Sequence, residues 1–134
     1  MYSELTPAAE NKVLIIDNIG MLSQLYQYAT ITYIGGGFNS SGIHNTLEAA
    51  VWSKPVIIGP NYKKFKEAKD LISVNGAYSI ATASELINII NTFIKDSTTM
   101  EKSSAAAGAY VKQNTGATQV ILSYIQENRL LTIP

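Results

Sequence analysis

Short runs of β-branched and aliphatic residues recur along the chain, and glycine, proline or polar residues bound each run. These runs predict buried strands over residues 13–16, 31–34, 55–58 and 77–81. None of them alternates cleanly between apolar and polar residues, so both faces of the predicted sheet must be covered. This pattern is typical of a parallel sheet with helices on its two faces.

Between these runs, apolar residues recur at the spacing of amphipathic helices. They predict helices over residues 21–29, 43–51, 65–74, 100–113 and 117–127. The segment Thr82-Ala83-Ser84-Glu85 has the capping-box pattern, which predicts a further helix that begins at Thr82 and carries Phe93. Because strand and helix alternate, we predict an α/β fold with a Rossmann-like parallel sheet and flanking helices.

The number of predicted strands is small for this class of fold. A doubly wound nucleotide-binding domain has about six strands, more than the patterns above supply. We therefore expect a truncated segment of a larger protein. Residues 1–12 are predicted to be a tether or linker, and residues 13–134 a partial domain.

The composition agrees with one folded domain and excludes several classes of protein. The 134 residues are 46% hydrophobic, which suits a buried core. Ten Lys and Arg balance ten Asp and Glu, so a nucleic-acid partner is not expected. The absence of cysteine and the single histidine, His44, exclude disulfides, a thiol nucleophile and a multi-histidine zinc site. We expect no metal and no cofactor.

The apolar runs are also too short to cross a membrane. None approaches the roughly 18 residues that a span requires, and the residues after Met1 lack the basic and apolar segments of a signal peptide. We expect this fragment to be soluble and its setting to be cytoplasmic.

Glycine-rich or polar turns follow three of the predicted strands, at residues 17–20, 35–38 and 59–61. Because ligands bind beyond the carboxyl ends of parallel strands, all three turns would lie on the ligand-binding edge. Glycine there lets a ligand approach the backbone. The alternative is that these glycines serve only tight turns.

Two familiar phosphate-binding patterns do not fit. Residues 37–42 have the glycine spacing of a P-loop, but Ile43 and His44 stand where Lys and Ser or Thr are needed. The dinucleotide fingerprint requires a third glycine at position 40, which is serine. A dehydrogenase is therefore the weakest interpretation.

Glu48 is the most informative single residue, because it lies in an apolar helical stretch where an isolated carboxylate is costly. At the ligand-binding edge it could accept hydrogen bonds from both hydroxyls of a ribose; otherwise it is a solvated helix residue. Asn45 could cap the helix or bind a base. His44 could be structural or could contact the ligand.

A lysine cluster follows the last of these turns. Lys63, Lys64, Lys66 and Lys69 are interleaved with acidic residues, as on a solvated helix face. The alternative is an anionic partner such as a phosphate or a lipid surface. No carboxylate pair or Ser/His/Asp set suited to catalysis is evident.

A long combined pattern runs through the centre of the chain. It comprises Gly35-Gly36-Gly37-Phe38, Gly42-Ile43-His44-Asn45-Thr46-Leu47-Glu48-Ala49-Ala50, Lys54-Pro55-Val56-Ile57-Ile58-Gly59-Pro60 and Phe65-Lys66-Glu67-Ala68. This pattern resembles the C-terminal, donor-binding domain of the 3-deoxy-D-manno-octulosonic acid (Kdo) transferases of lipopolysaccharide biosynthesis, the lipid A Kdo transferase family. Residues 17–22 resemble the preceding loop. The resemblance is specific over residues 13–76 and looser to about residue 127.

The resemblance implies the C-terminal half of a two-domain, GT-B type glycosyltransferase that inverts configuration and needs no metal. Its donor would be CMP-Kdo, and its acceptor a lipid A precursor at the cytoplasmic face of the bacterial inner membrane. Positions that match the family's CMP contacts are Ile19, Gly20, Met21, Gly36, Gly37, Asn45, Thr46, Leu47 and Glu48, with His44 as a further candidate. Glu48 would bind the ribose. Met21 stands where many members have an acidic residue, so its backbone is expected to make the contact.

The resemblance also implies what this chain does not carry. The family's general base, its membrane-associating segment and most of its acceptor site belong to the N-terminal domain. No catalytic residue is therefore expected here, and the fragment alone is predicted to be inactive. The first strands of the C-terminal domain are also expected to be missing. In the sheet they would lie between the strands predicted at residues 13–16 and 31–34, so another copy or an exchanged strand could complete the sheet.

Two other functions stay open. Glu48 would serve a UDP-sugar equally well, so the chain could be the donor domain of a different glycosyltransferase. It could also be a non-catalytic Rossmann-like interaction module, for which a nucleotide would have no effect on stability.

Overall fold

A parallel sheet of three short strands forms the centre of the fold in the computed structural model, which describes residues 13–131. The strands are β1 (Thr32–Ile34), β2 (Val56–Ile58) and β3 (Ala77–Ser79), in the order β1-β2-β3. The helices are α1 (Leu22–Leu25), which continues into a 3-10 turn (Tyr26–Tyr28), α2 (Leu47–Ala50), α3 (Lys66–Ser73), α4 (Ala83–Lys95), α5 (Ser97–Gln113) and α6 (Ala117–Glu127). The predicted α/β fold with a parallel sheet and flanking helices is confirmed.

Strand β2 is central, and all of its residues are buried. Ile58 lies opposite Ile34 of β1 and Ser79 of β3. Because both faces of β2 are covered, its apolar run needs no alternation. The core around the sheet consists of Ile34, Ile43, Ala49, Ala50, Val56, Ile58, Ala68, Leu71, Ala77 and Ala107.

Small residues let the long helix α5 approach the sheet. Gly76 precedes β3, and a Cβ atom built there would lie 2.9 Å from Cα of Ala107 in α5. Helix α5 also contacts α2, α3 and α4, so it packs against most of the other helices. Ala107 is fully buried in consequence.

The capping pattern predicted for α4 is confirmed. The Thr82 hydroxyl accepts a hydrogen bond from the Glu85 N–H at 3.2 Å, and the Glu85 carboxylate accepts one from the Ala81 N–H at 2.6 Å. Helix α5 begins at Ser97 rather than at residue 100, because Asp96 caps it by accepting the Thr99 N–H at 3.1 Å. Helix α6 has the predicted bounds.

The prediction of a buried strand over residues 13–16 is wrong. These residues have no regular secondary structure, and Val13, Leu14 and Ile15 are 78%, 53% and 59% exposed. A strand exists only where a neighbour takes its backbone hydrogen bonds, and no strand within residues 13–131 pairs with this run. The predicted tether, residues 1–12, lies outside the described residues.

The prediction that the second helix begins near residue 43 is also wrong. Ile43 forms an isolated antiparallel bridge with Gly36, and α2 begins only at Leu47. The Gly37 N–H donates to the Gly42 carbonyl at 2.6 Å, and the His44 N–H donates to the Gly35 carbonyl at 3.2 Å. These bonds hold residues 42–44 extended against the glycine turn, so the apolar spacing there reflects burial rather than a helix.

Helix α1 is also shorter than the predicted 21–29, because a 3-10 turn replaces its second half. Among the helices of the described part of the chain, none is long and apolar enough to cross a bilayer.

Candidate functional site

Two glycine turns, residues 35–38 and 59–61, pack directly against each other at the carboxyl ends of β1 and β2. A Cβ atom built on Gly37 would lie 2.9 Å from Cα of Gly59 and 2.7 Å from Cγ2 of Ile43. The Asn61 N–H donates to the Gly37 carbonyl at 2.9 Å. Gly37 has φ +80°, a value that side-chain-bearing residues rarely adopt. The structure therefore brings together two of the three turns predicted at this edge.

The third turn, residues 17–20, is not placed there by the sheet, because no strand precedes it. Ile19 is fully exposed, and no neighbouring atom lies within 4 Å of a Cβ built on Gly20. Met21 is half-buried at the start of α1. The Trp52 indole N–H donates to the Ser23 carbonyl at 2.7 Å, which ties α1 to the chain just after α2.

The side chain of Asn45 connects the approach to α2 with Glu48. Its Oδ1 accepts the Leu47 N–H at 3.0 Å, and its Nδ2 donates to Oε1 of Glu48 at 3.1 Å. Asn45 thus accepts the N–H of the first residue of α2, although the N-cap position itself is Thr46, which makes no side-chain capping bond. Glu48 lies in the first turn of α2 and is half-buried, so it is neither fully solvated nor sealed in the core.

Tyr26 is a neighbour of Glu48 that the sequence did not mark as a site residue. It packs against the core from the 3-10 turn after α1. Burial raises the pKa of its phenol, and the negative charge of Glu48 raises that pKa further. The apolar spacing along α1 predicts burial of Tyr26, but no local pattern connects it with a carboxylate so distant in sequence.

A cavity of about 320 Å³, cavity A, lies between the approach to α2 and the start of α3. Its lining is Ile43, His44, Asn45, Thr46, Leu47, Phe65 and Glu67. The structure thus groups four of the predicted residues, at positions 44–47, around one cavity. Glu48 is outside this lining, whereas Ile43, Phe65 and Glu67 line the cavity although the sequence pattern that contains them did not mark them as ligand contacts.

A cavity of about 590 Å³, cavity B, opens beside the two glycine turns. Its lining is Phe38, Asn39, Ser40, Pro60, Asn61, Lys63 and Lys64. The Asn61 Nδ2 donates to the Asn39 carbonyl at 3.0 Å and joins the two sides of the cavity.

The lysine cluster predicted from the sequence is divided by the structure. Lys66 forms an ion pair with Asp70 on the surface of α3, and the Tyr110 hydroxyl also donates to Asp70, at 3.1 Å. The hydrogen bond with Lys66 lowers the pKa of Asp70, and the same bond raises the pKa of Lys66. Lys63 and Lys64 instead line cavity B. The solvated-face interpretation thus fits Lys66, and Lys69 is likewise exposed on α3, whereas only Lys63 and Lys64 of the four lysines line a cavity.

No group of three or more His, Asp or Glu side chains within residues 13–131 could hold a metal ion. The polar groups of cavities A and B can bind a ligand through hydrogen bonds and charge. No arrangement among them pairs a nucleophile with a base.

Comparison with known proteins gives a consistent result. The 3-deoxy-D-manno-octulosonic acid transferase of Aquifex aeolicus (strain VF5) is 32% identical over 108 residues, which are 78% of this chain and 31% of that protein. The enzyme of the same name from Rickettsia prowazekii (strain Madrid E) is 35% identical over 89 residues, 66% of this chain and 19% of that protein. That of Bordetella pertussis is 28% identical over 122 residues, 90% of this chain and 28% of that protein. No protein-family model matches the chain.

Among solved structures, the fold is similar to the C-terminal CMP-Kdo binding domain of WaaA from Acinetobacter baumannii. The TM-score is 0.64 and the sequence identity 26%, over 72% of this chain and 51% of that one. The resemblance predicted from the motifs is confirmed. The chain spans at most 31% of the length of the three relatives named above.

Proposed function

We propose that this chain, which is similar to part of the C-terminal domain of Kdo transferases, is the part of such an enzyme that holds the nucleotide of CMP-Kdo. The whole protein would transfer Kdo to a lipid A precursor in lipopolysaccharide biosynthesis, with inversion and without a metal ion. It would act at the cytoplasmic face of the bacterial inner membrane. The observation that carries the proposal is the match in fold and sequence to a domain described as binding CMP-Kdo.

The geometry around Glu48 supports binding of a ribose. A carboxylate offers about four acceptor positions, and Asn45 occupies only one of them. The remaining positions can accept both ribose hydroxyls, and the half-buried setting strengthens such bonds relative to water. The resemblance implies this role, and the hydrogen bond from Asn45 supports it by restricting the orientation of the carboxylate.

The first glycine turn supports approach of the donor to the backbone. A Cβ atom on Gly36 would meet the Gly42 carbonyl at 2.5 Å and the His44 ring at 3.4 Å. The close approach of residues 42–44 therefore requires glycine at this position, and the turn has no side chain at the place where the donor is proposed to pass. Ile19, Gly20 and Met21 are proposed to close the other side of the nucleotide, as their match to the family's contacts implies.

The chain does not carry the catalytic step in this proposal. The general base, the acceptor site and the membrane contact would belong to the N-terminal domain of the whole enzyme. We therefore expect the 134-residue chain to bind CMP weakly and to transfer no Kdo. Transfer of Kdo by this chain alone would contradict that division of roles.

Titration of the ¹⁵N-labelled chain with CMP, and separately with UDP, tests the proposal. CMP is expected to perturb the amides of residues 36–37 and 44–48 and to bind more tightly than UDP. Glu48→Gln is expected to weaken CMP binding about tenfold, since hydrogen bonds to a charged group are among the stronger ones. The matched control is Glu101→Gln, which alters an exposed carboxylate on α5.

Each other outcome favours one of the alternatives. Equal or tighter binding of UDP would indicate a UDP-sugar donor. Absence of any nucleotide effect on the spectrum and on the melting temperature, in wild type and in Glu48→Gln alike, would indicate an interaction module.

A further inference from the structure

We propose that cavity B is the subsite for the anionic sugar of the donor, with Lys63 and Lys64 binding the sugar carboxylate. The inference rests on the proposed function, because it assigns the other half of the same donor. Its chemical basis is general: an ulosonic acid carries a carboxylate and several hydroxyls. A matching site supplies cations, uncharged polar groups and a flat apolar surface.

The lining of cavity B has these groups in the required combination. Lys63 and Lys64 supply two ammonium groups, and no carboxylate is among the lining residues to neutralise them. The amide and hydroxyl side chains of Asn39, Ser40 and Asn61 can bond sugar hydroxyls. The volume of about 590 Å³ lies within the range of small-molecule sites.

Phe38 adds the apolar part of the lining. Its side chain is 53% exposed although the core is close by, so the ring is available to pack against the C–H face of a sugar.

Cavity B lies next to the proposed nucleotide contacts. The first glycine turn separates the two regions: Cδ2 of the His44 ring lies 3.4 Å from a Cβ built on Gly36, while Asn61 donates to the carbonyl of Gly37. A donor that lies along residues 44–48 and crosses this turn would place its sugar in cavity B. The absence of side chains on the turn leaves that crossing open.

The charge of the neighbouring lysine is already compensated. Lys66 is paired with Asp70 on α3, so the Asp70 carboxylate already neutralises the ammonium group that a ligand would otherwise bind. Lys63 and Lys64 lie in the turn before α3, and their side chains are exposed at the cavity. Because Lys66 is paired and Lys69 lines neither cavity A nor cavity B, Lys63 and Lys64 are the two lysines of the cluster that remain for a ligand in cavity B.

The test uses the monosaccharide Kdo as the probe, added to the ¹⁵N-labelled chain with and without saturating CMP. Kdo is expected to perturb the amides of residues 38–40 and 61–64. The double variant Lys63→Ala/Lys64→Ala is expected to weaken Kdo binding about tenfold, since two charge-assisted contacts are lost. The double variant is expected to weaken CMP binding less than Kdo binding, because CMP lacks the sugar carboxylate that the two lysines would bind. The matched control Lys69→Ala removes an exposed lysine of α3 that lines neither cavity A nor cavity B.

The methyl ester of Kdo isolates the contribution of the carboxylate. It is expected to bind wild type as weakly as Kdo binds the double variant. Equal affinity for the acid and its ester would overturn the inference, as would absence of Kdo binding or perturbations confined to other residues. Binding to phosphatidylglycerol vesicles that is lost in the double variant, while Kdo binding is unchanged, would assign the lysines to a lipid surface instead.

The two proposals fail in distinguishable ways. If CMP does not bind, the proposed function fails, yet the response to Kdo without CMP still decides whether cavity B takes an anionic sugar. If CMP binds and Kdo does not, only the sugar subsite is wrong.

Discussion

Asn45 and Glu48 are joined by a hydrogen bond in which Nδ2 of the amide donates to Oε1 of the carboxylate at 3.1 Å. The amide is itself held in place, because its Oδ1 accepts the Leu47 N–H at 3.0 Å. Because both ends of the Asn45 amide are hydrogen-bonded, Asn45 restricts the rotamers that the Glu48 carboxylate can adopt. In the proposed site, Asn45 is therefore a positioning residue that acts through Glu48.

Asn45→Ala is expected to weaken CMP binding roughly two- to tenfold, the range of one hydrogen bond. The loss is expected to be smaller for 2′-deoxy-CMP, because the ribose hydroxyls are the groups that Glu48 would bind. Calorimetric titration of both ligands measures the difference. A combined Asn45→Ala/Glu48→Gln variant is expected to lose less than the sum of the single losses. Additive losses would contradict a shared role.

The electrostatic contact between Glu48 and Tyr26 gives a second prediction. Burial and the Glu48 charge both raise the pKa of the Tyr26 phenol, so Glu48→Gln is expected to lower that pKa toward its ordinary value. Ultraviolet titration of the phenolate, with Tyr26→Phe to identify the signal, measures it. The pKa of Tyr110, which burial and the hydrogen bond to Asp70 raise, serves as the internal control and is expected to stay unchanged.

The close packing of the two glycine turns predicts a steric cost at Gly37. Gly37→Ala would place a methyl group 2.9 Å from Cα of Gly59 at a positive φ, and is expected to destabilise the chain by about 1–3 kcal/mol. Gly116→Ala is the control, since Gly116 also has a positive φ but open space around it. Thermal denaturation of both variants compares them. Similar losses would mean that backbone strain alone accounts for the effect.

The ion pair between Lys66 and Asp70 on α3 predicts that the stability of the fold depends on pH. Its hydrogen bond to Lys66 lowers the pKa of Asp70 in the folded state, so the pair stabilises the fold above the unfolded pKa of about 3.9. That contribution is lost as the pH falls through the folded pKa. Asp70→Asn is therefore expected to lower the melting temperature at pH 7 and to differ less from wild type in stronger acid. If the difference in melting temperature between wild type and Asp70→Asn were the same at pH 7 and in stronger acid, the charge of Asp70 would not be the source of the stabilisation.

Features coded over a few adjacent residues could be predicted from the sequence. The capping residues Thr82 and Glu85 lie within one turn of each other, and the bounds of α6 follow from the local spacing of its apolar residues after the break at Asn114-Thr115-Gly116. Residues 44–48 were selected through the resemblance to the Kdo transferases, and the structure shows that Asn45 and Glu48 in this segment are hydrogen-bonded to each other. Local sequence suffices where the interacting groups are neighbours.

Features that depend on distant partners could not be predicted. The run 13–16 has the composition of a strand, but a strand also needs a neighbour to bond, and composition does not reveal one. Ile43 has helical spacing with Leu47, yet its backbone is held by Gly36. Tyr26 meets Glu48 only because the 3-10 turn after α1 packs against α2, so no pattern in either segment marks the pair.

The edge strand β1 has a consequence for handling the protein. No strand within residues 13–131 pairs with the free edge of β1, and Tyr33 in this strand is 47% exposed. Unpaired edge strands with apolar side chains promote aggregation, because another polypeptide can form backbone hydrogen bonds with them. Concentrated samples of this chain are thus prone to self-association, and a lysine in place of Tyr33 would act as a gatekeeper that keeps it in solution.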